Sequence, residues 1–187
     1  MYPILLSGKT VSLRELAEED APALHLVYGD SEATRHLSFE ARTLEDVAEI
    51  VRSAINSASN ADRTGYMLAV TGRATGELIG AGRLALGEHQ SGQIGFALRP
   101  DQWGSGKGRQ LVELLLRLGF AELGLHRIWG ARSPLNEASA RTMRAAGMVE
   151  EGRIRGHLFT RGAWRDSIVH SILSDEMAIV GPGELVD

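Results

Sequence analysis

The sequence contains no cysteine, only five prolines and no long apolar stretch. Without cysteine the chain can form no disulfide, bind no zinc through thiolates and use no thiolate nucleophile. No apolar stretch approaches the roughly 20 residues that a membrane-spanning helix needs. The first residues carry a short apolar run and then acidic residues, so we expect no signal peptide and a cytoplasmic location.

Charge of either sign is also not in large excess, because the formal net charge is −4. The composition therefore gives no indication of binding to nucleic acid or to an anionic membrane. With 187 residues, of which 43% are hydrophobic, the chain can bury a core of its own. We expect a single domain over residues 1–187, with a core at about 8–174 and a mobile tail at 175–187.

The hydrophobic pattern changes repeatedly between the periods of strands and helices, which predicts a mixed α/β fold. The predicted helices cover residues 21–28, 43–58, 107–122 and 136–147. The predicted strands cover residues 10–16, 65–70, 77–86, 92–98, 126–132, 149–159 and 164–173. We expect the last two strands to close the core, and a hairpin through the turn at 71–76.

A glycine-rich segment, Trp-Gly-Ser-Gly-Lys-Gly at 103–108, directly precedes a predicted helix. It is not a Walker loop, because Gly108 stands where the magnesium-binding Ser or Thr belongs and Asp101 where the first glycine belongs. It is not a dinucleotide fingerprint, because Arg109 replaces the last glycine of that pattern. Alternating glycines before a helix can still turn backbone N–H groups toward an anion, and a pyrophosphate fits this arrangement without a metal ion.

Several motifs in order resemble the GNAT superfamily of acyl-coenzyme A N-acyltransferases. The loop matches two glycines of the family pattern Q/R-x-x-G-x-G/A and departs at its leading residue, as in the Rim-type ribosomal-protein acetyltransferases. The sequence after Asn136 matches a second family pattern at Ser139, Gly147 and Met148. The segment 157–174 resembles the Rim-type ending, and the resemblance covers about residues 8–174.

The resemblance implies a central, mostly antiparallel sheet that is splayed in its middle, with helices on both faces. Acetyl-CoA would lie between the strands at 93–98 and 127–132, with no metal. Its pantetheine amides would bind backbone groups of Phe96, Ala97 and Leu98. The residues expected to contact the rest of the coenzyme are Trp103, Gly104, Ser105, Gly106, Lys107, Gly108, Arg109, Asn136 and Arg144. Three alternatives to coenzyme contact stay open. Trp103 could be a hydrophobic staple at the helix start, and Asn136 could be a helix cap. Arg109 and Arg144 could be solvated surface arginines.

The implied reaction is acetyl transfer to a primary amine by direct attack in a ternary complex, and the amine must arrive neutral. Ser139 is the candidate proton donor to the departing thiolate, and its alternative is a hydroxyl bonded within its own helix. The strand at 92–98 has no carboxylate to act as a base. His157 titrates in a suitable range and is the candidate base. Weaker candidates are Glu88, His89 and His36, and a terminal amine could need no dedicated base.

Two function classes remain open at this point. The first is an N-acetyltransferase whose acceptor is a protein or peptide N-terminus or a small amine. The second is a catalytically impaired acyl-CoA-binding sensor or interaction module of the same fold. Neither nucleic acid nor a membrane is expected as a partner, and the chain is expected to be a monomer or a homodimer. Trp129 and Trp164 are expected in the core or in a substrate-binding wall.

Overall fold

The computed structural model describes residues 2–177, and residues 1 and 178–187 lie outside the described part, including most of the predicted tail. The strands are β1 (Leu5–Ser7), β2 (Val11–Glu15), β3 (Gly65–Gly72), β4 (Leu78–Leu86), β5 (Ser91–Leu98), β6 (Arg127–Arg132), β7 (Val149–Thr160) and β8 (Ala163–Leu173). The helices are α1 (Ala21–Tyr28), α2 (Ser31–Thr34), α3 (Leu44–Ala58), α4 (Lys107–Arg117) and α5 (Glu137–Ala145). A π-helical turn over Leu118–Glu122 extends α4, and two 3₁₀ turns cover Glu18–Asp20 and Pro100–Gln102.

The strands form one sheet in the order β1-β2-β3-β4-β5-β6-β8-β7. Neighbours are antiparallel except β5 and β6, which are parallel. The connection between these two contains α4, as a parallel pair requires a long crossover. The predicted fold, a mostly antiparallel mixed sheet with helices, is therefore confirmed.

Helices cover both faces of the sheet. On one face α1 and α3 bury Leu24, Val27, Val47 and Val51 against small strand residues such as Ala81. On the other face α4 buries leucines at helical spacing against the larger apolar side chains of β2 to β6. The start of α3 is defined by a capping box, in which Thr43 and Asp46 each accept a backbone N–H of the other.

A buried ion pair joins the start of β3 to β2. Arg63 donates to both carboxylate oxygens of Glu15 at 2.7 and 3.0 Å. Its guanidinium lies 4.3 Å from the centroid of the Tyr66 ring and also donates to the carbonyls of Ala58 and Gly65. The side chains of Arg63 and Glu15 are 3% and 12% exposed, so solvent screens this pair very little.

Three expectations differ from the structure. Strand β1 and the short helix α2 lie in segments without a strong periodic pattern and were not predicted. Strand β7 does not close the core, because it lies at the sheet edge and its residues from Val149 to Gly156 are all exposed. Trp164 is 69% exposed and packs edge-to-face on Phe159, so of its two predicted places the core is wrong and the substrate-binding wall stays a prediction.

Candidate active site

Strands β5 and β6 pair only over their first residues. Their parallel pairing ends where Ile94 lies opposite Gly130. Beyond this point β5 continues beside β4 as far as Leu98, and β6 continues beside β8 as far as Arg132. The two strands therefore diverge, and a V-shaped opening begins at Gly95.

Hydrogen bonds at the two ends of the β4–β5 ladder determine which backbone groups face this opening. The Gly87 N–H donates to the Ser91 carbonyl at 2.8 Å, and the Arg99 N–H donates to the Ile79 carbonyl at 2.9 Å. Bonding partners alternate along an antiparallel strand, and the register between these ends has no shift. The odd-numbered residues of β5 therefore bond to β4, and the even-numbered ones face β6 or the opening.

This alternation corrects one of the three predicted pantetheine-binding residues. Phe96 and Leu98 turn their N–H and C=O groups toward the opening, but Ala97 turns its own toward β4. The Leu98 carbonyl accepts the indole N–H of Trp103 at 2.9 Å. Trp103 is 47% exposed, so it holds the end of the splayed strand by a hydrogen bond and not as a buried staple.

The glycine-rich loop presents free backbone donors beside the opening. Gly104 and Gly106 have φ of +71° and +79°, a region that glycine adopts at low cost. Gly106 precedes α4 and provides no side-chain cap, while Gly108 already has helical geometry inside α4. The Ser105 hydroxyl turns away to the Gln102 carbonyl at 2.6 Å. Within residues 2–177, the N–H groups of residues 104–109 donate to no protein acceptor. This array fits a pyrophosphate.

The basic side chains near the loop are already engaged by protein groups. Lys107 donates to the side-chain oxygen of Gln102. Arg109 pairs at 2.7 Å with the glutamate one turn further along α4. Arg144 pairs with Glu150 at 3.3 Å. All three pairs are partly solvent-exposed, so a bound phosphate would compete with them at modest cost.

Gly106→Val is expected to weaken coenzyme A binding at least about tenfold, or about 1.4 kcal/mol. A branched side chain strains the left-handed backbone at this position and occupies empty space beside the N–H array. Calorimetry with coenzyme A measures the change. The matched control is Gly76→Val in the β3–β4 turn, which has φ of +70° and equally open surroundings. Equal affinities of the two variants would contradict a binding role for the loop.

Asn136 and Ser139 begin α5 on the β6 side of the opening. The Asn136 side-chain oxygen accepts the Ser139 N–H at 3.0 Å, which confirms the alternative of a helix cap. The side-chain N–H₂ group of Asn136 donates to no acceptor within residues 2–177. The Ser139 hydroxyl is only partly buried and makes no hydrogen bond to the described residues, so it is not bonded back to its own helix.

A buried polar cluster supports the loop before α5, and the sequence analysis did not find it. Arg132 is 6% exposed and donates to the carbonyls of Ser133 and Pro134 at 3.2 and 3.1 Å. It also donates to the ring nitrogen Nε2 of His170 at 3.2 Å and to Glu150 at 3.3 Å. These bonds position the segment that carries Asn136. The only signal in the sequence was a charged residue at the end of an apolar strand.

The stability of the protein should depend on pH through His170. Burial, and then the charge of Arg132, lower the pKa of His170 below 6.5, while Glu150 and Glu137 oppose and Arg144 adds to the effect. The unfolded chain binds a proton below pH 6.5 and the folded chain does not. The free energy of unfolding should therefore fall as the pH decreases from about 7.5 to about 5.5.

Urea unfolding across this pH range, with His170→Gln and the exposed control His89→Gln, tests the prediction. His89→Gln should keep the wild-type dependence of the free energy of unfolding on pH, and His170→Gln should reduce it. A part of the dependence should remain in His170→Gln because of His36, whose pKa is lowered by burial and by Arg35. A wild-type slope in His170→Gln would contradict the role of this residue.

The candidate bases differ in their surroundings. His157 lies in β7 beside a register shift, and its ring nitrogen Nδ1 is buried without a partner among the described residues. The side chains of Glu88 and His89 are 94% and 95% exposed in the β4–β5 turn, which agrees with a solvated loop. The ring of His36 is partly buried next to α2. The splayed part of β5, residues 95–98, carries no carboxylate of its own.

Two cavities open on the sheet face that carries α1 and α3, one on each side of the splay. One of about 530 Å³ lies between α1, α3 and the strands β3 and β4, and its lining includes Tyr28, Met67 and Arg83. The other, of about 490 Å³, lies over β6, β8 and β7, and Trp129 forms part of its wall. The two cavities therefore flank the diverging part of β5 and β6 on this face of the sheet.

A sequence profile of the Acetyltransferase (GNAT) domain matches residues 10–149. The chain belongs to the GNAT acetyltransferase family. The uncharacterized N-acetyltransferase YoaA of Bacillus subtilis (strain 168) is 30% identical to it over 92% of this chain and 98% of the relative. The predicted family is therefore confirmed, and with it the assignment as an acyltransferase of a GNAT family that uses acetyl-CoA.

Solved structures of GNAT proteins share the fold. Ribosomal-protein-S5-alanine acetyltransferase from Vibrio fischeri has a TM-score of 0.76 and 23% identity, and the match covers 92% of this chain and 97% of that one. Spermidine N-acetyltransferase from Vibrio cholerae, solved with CoA and spermine, has a TM-score of 0.78 and 22% identity over 91% and 99% of the two chains. In residues 2–177, no helix is long and apolar enough to cross a membrane, and no three potential metal ligands cluster.

Proposed function

We propose that this GNAT protein transfers an acetyl group from acetyl-CoA to a primary amine by direct attack in a ternary complex. The observation that carries the proposal is the divergence of β5 and β6 beside six free backbone N–H groups at the start of α4. Acetyl-CoA supplies the activated acetyl thioester. The N–H groups of residues 104–109 would hold its pyrophosphate, and Phe96 and Leu98 would hold its pantetheine amides.

The protein's own groups suit the remaining tasks of this reaction. A backbone N–H on the splayed part of β5 would stabilise the oxyanion that forms during attack. The unbonded hydroxyl of Ser139 would donate a proton to the departing thiolate. His157, with a free ring nitrogen, would accept the proton of the amine directly or through water. An α-amine, with a pKa near about 8, needs only modest help from such a base.

The names of two structural neighbours indicate two kinds of acceptor amine to consider. One neighbour is named as a ribosomal-protein-S5-alanine acetyltransferase, and another as a spermidine N-acetyltransferase. Only the first kind, a peptide α-amine, suits a site without a carboxylate on the splayed strand, because its pKa is lower than that of a polyamine nitrogen.

Calorimetry with acetyl-CoA and a thiol-release assay with a panel of peptides and small amines test the proposal, both with EDTA present. We expect binding that EDTA does not change and thiol release with at least one amine. Binding without thiol release from any amine would favour a coenzyme-binding sensor. Absence of binding would overturn the proposed function.

A further inference from the structure

The chemistry of the acceptor can be inferred from the cavity between α1, α3 and the sheet. Its wall combines aromatic and aliphatic side chains with two charged ones, Glu49 and Arg83. Arg83 lies in β4 directly opposite Gly95 of β5, the first residue of the splay. A Cβ at Gly95 would meet nothing within 4 Å, so the space beside Arg83 is open.

The charge of Arg83 is not neutralised by the described part of the protein. Its guanidinium makes no hydrogen bond, and no carboxylate of residues 2–177 lies within 4.0 Å of it. The other charged group of the cavity, Glu49, is engaged by Arg52 at 2.5 Å on the surface. The cavity therefore presents one free cation next to the place where β5 and β6 diverge.

Three further arginines lie around His36, and we call Arg35, Arg161 and Arg165 the arginine cluster. Arg161 donates to the Thr34 carbonyl at 3.2 Å, and Arg165 donates to the His36 carbonyl at 2.9 Å. Carbonyl groups are neutral, so these bonds hold the side chains in place without cancelling their charge. No carboxylate among the described residues forms a salt bridge with any member of the cluster.

The arginine cluster and the cavity are connected by a short segment. Phe39 lies three residues after His36, so its Cα is within about 11 Å of that of His36. The Phe39 ring packs on Tyr28 of the cavity wall, with 5.0 Å between ring centroids. After burial, all the charges that lower the pKa of His36 are members of the arginine cluster. The cluster therefore concentrates positive charge around His36, three residues before Phe39 of the cavity wall.

We infer that the preferred acceptor is an amine with a carboxylate group close to it, which Arg83 and the arginine cluster bind. This inference rests on the proposed function and specifies its substrate class. Arginine binds carboxylates through paired charge-assisted hydrogen bonds, which favours such an acceptor. A linear polyamine brings only positive charge and is disfavoured by the same groups.

The test compares acceptors that differ only in charge, in a thiol-release assay with the full chain and saturating acetyl-CoA. The peptide pair is Ala-Asp-Glu-Ala-amide and Ala-Asn-Gln-Ala-amide, and the third acceptor is spermidine. Alanine and alanine amide form a further pair, which distinguishes an α-carboxylate from side-chain carboxylates. We expect kcat/KM for a carboxylate-bearing acceptor to exceed that of its amide about tenfold, the effect of about one charge-assisted hydrogen bond.

Two variants show which groups carry this preference. Arg83→Gln and Arg35→Gln should each reduce the ratio of acid to amide kcat/KM. Arg73→Gln removes the same charge near the far end of β3, where Arg73 donates to the Gly8 carbonyl, and should leave the ratio unchanged. Higher salt should also reduce the ratio, because it screens exposed charges.

The outcomes separate this inference from the proposed function. If spermidine or the amide peptide is acetylated as well as the acidic one, the protein is an acetyltransferase and the inference is wrong. If no thiol is released with any acceptor, calorimetric titration of both peptides into the coenzyme-loaded protein still tests the inference about the charge of the acceptor. Tighter binding of the acidic peptide would then support the inference while the proposed function fails, and equal binding would overturn both.

Discussion

Ser139→Ala should lower the turnover number about 100-fold at saturating substrates, the low end of the usual effect of losing a positioned proton donor. Ser139 begins α5 at the opening between β5 and β6, and its hydroxyl has no hydrogen bond to the described residues. The loss should stay near the low end, because a thiolate is already a good leaving group and water can substitute. Coenzyme affinity, measured by calorimetry, should change much less than turnover.

The stability of the same variant distinguishes this role from a structural one. Alanine favours helix over serine and no hydrogen bond is lost, so the melting temperature should stay the same or rise slightly. Ser59→Ala, at the exposed end of α3, is the matched control and should turn over at the wild-type rate. Wild-type turnover in Ser139→Ala would refute the proton-donor role and direct attention to water and His157.

Arg63→Met should lower the free energy of unfolding by about 3–5 kcal/mol, because it leaves the carboxylate of Glu15 largely buried without its partner. The pair also joins β2, the end of α3 and the start of β3 through the Ala58 and Gly65 carbonyls. Urea unfolding at neutral pH measures the loss.

Two further variants control for charge and for volume. Arg52→Met removes an arginine that is 54% exposed and paired with an exposed glutamate, and it should cost far less stability than Arg63→Met. The double substitution Glu15→Leu with Arg63→Met should lose less stability than Arg63→Met alone, because no buried charge remains. If Arg63→Met costs no more than Arg52→Met, burial of the pair contributes nothing to stability.

Local patterns in the sequence were sufficient for the elements that position the coenzyme. The helix after the glycines, the turn at Gly104 and Gly106 and the cap formed by Asn136 depend on neighbouring residues alone. These signals act through backbone conformation and short-range hydrogen bonds, so they can be read without knowing the fold. The order of motifs then predicted the family, which the comparisons confirmed.

Other features depend on which strands meet. The sequence could not show that Ala97 bonds to β4 while Phe96 and Leu98 face the opening, because the alternation is set by the register with β4. It also could not show that β7 is an exposed edge strand, since its place in the sheet is decided by pairing with β8 alone.

By itself, the sequence determined that this chain has a mixed fold, a free N–H array before α4 and the motifs of an acyltransferase family. Only the tertiary structure decided which side chains meet across long distances in the chain, such as Arg63 with Glu15 and Arg132 with His170. It also decided that Arg83 and the arginine cluster form no salt bridge with a carboxylate of residues 2–177. Charge pairing and burial depend on distances between remote segments, and these exist only once the chain has folded.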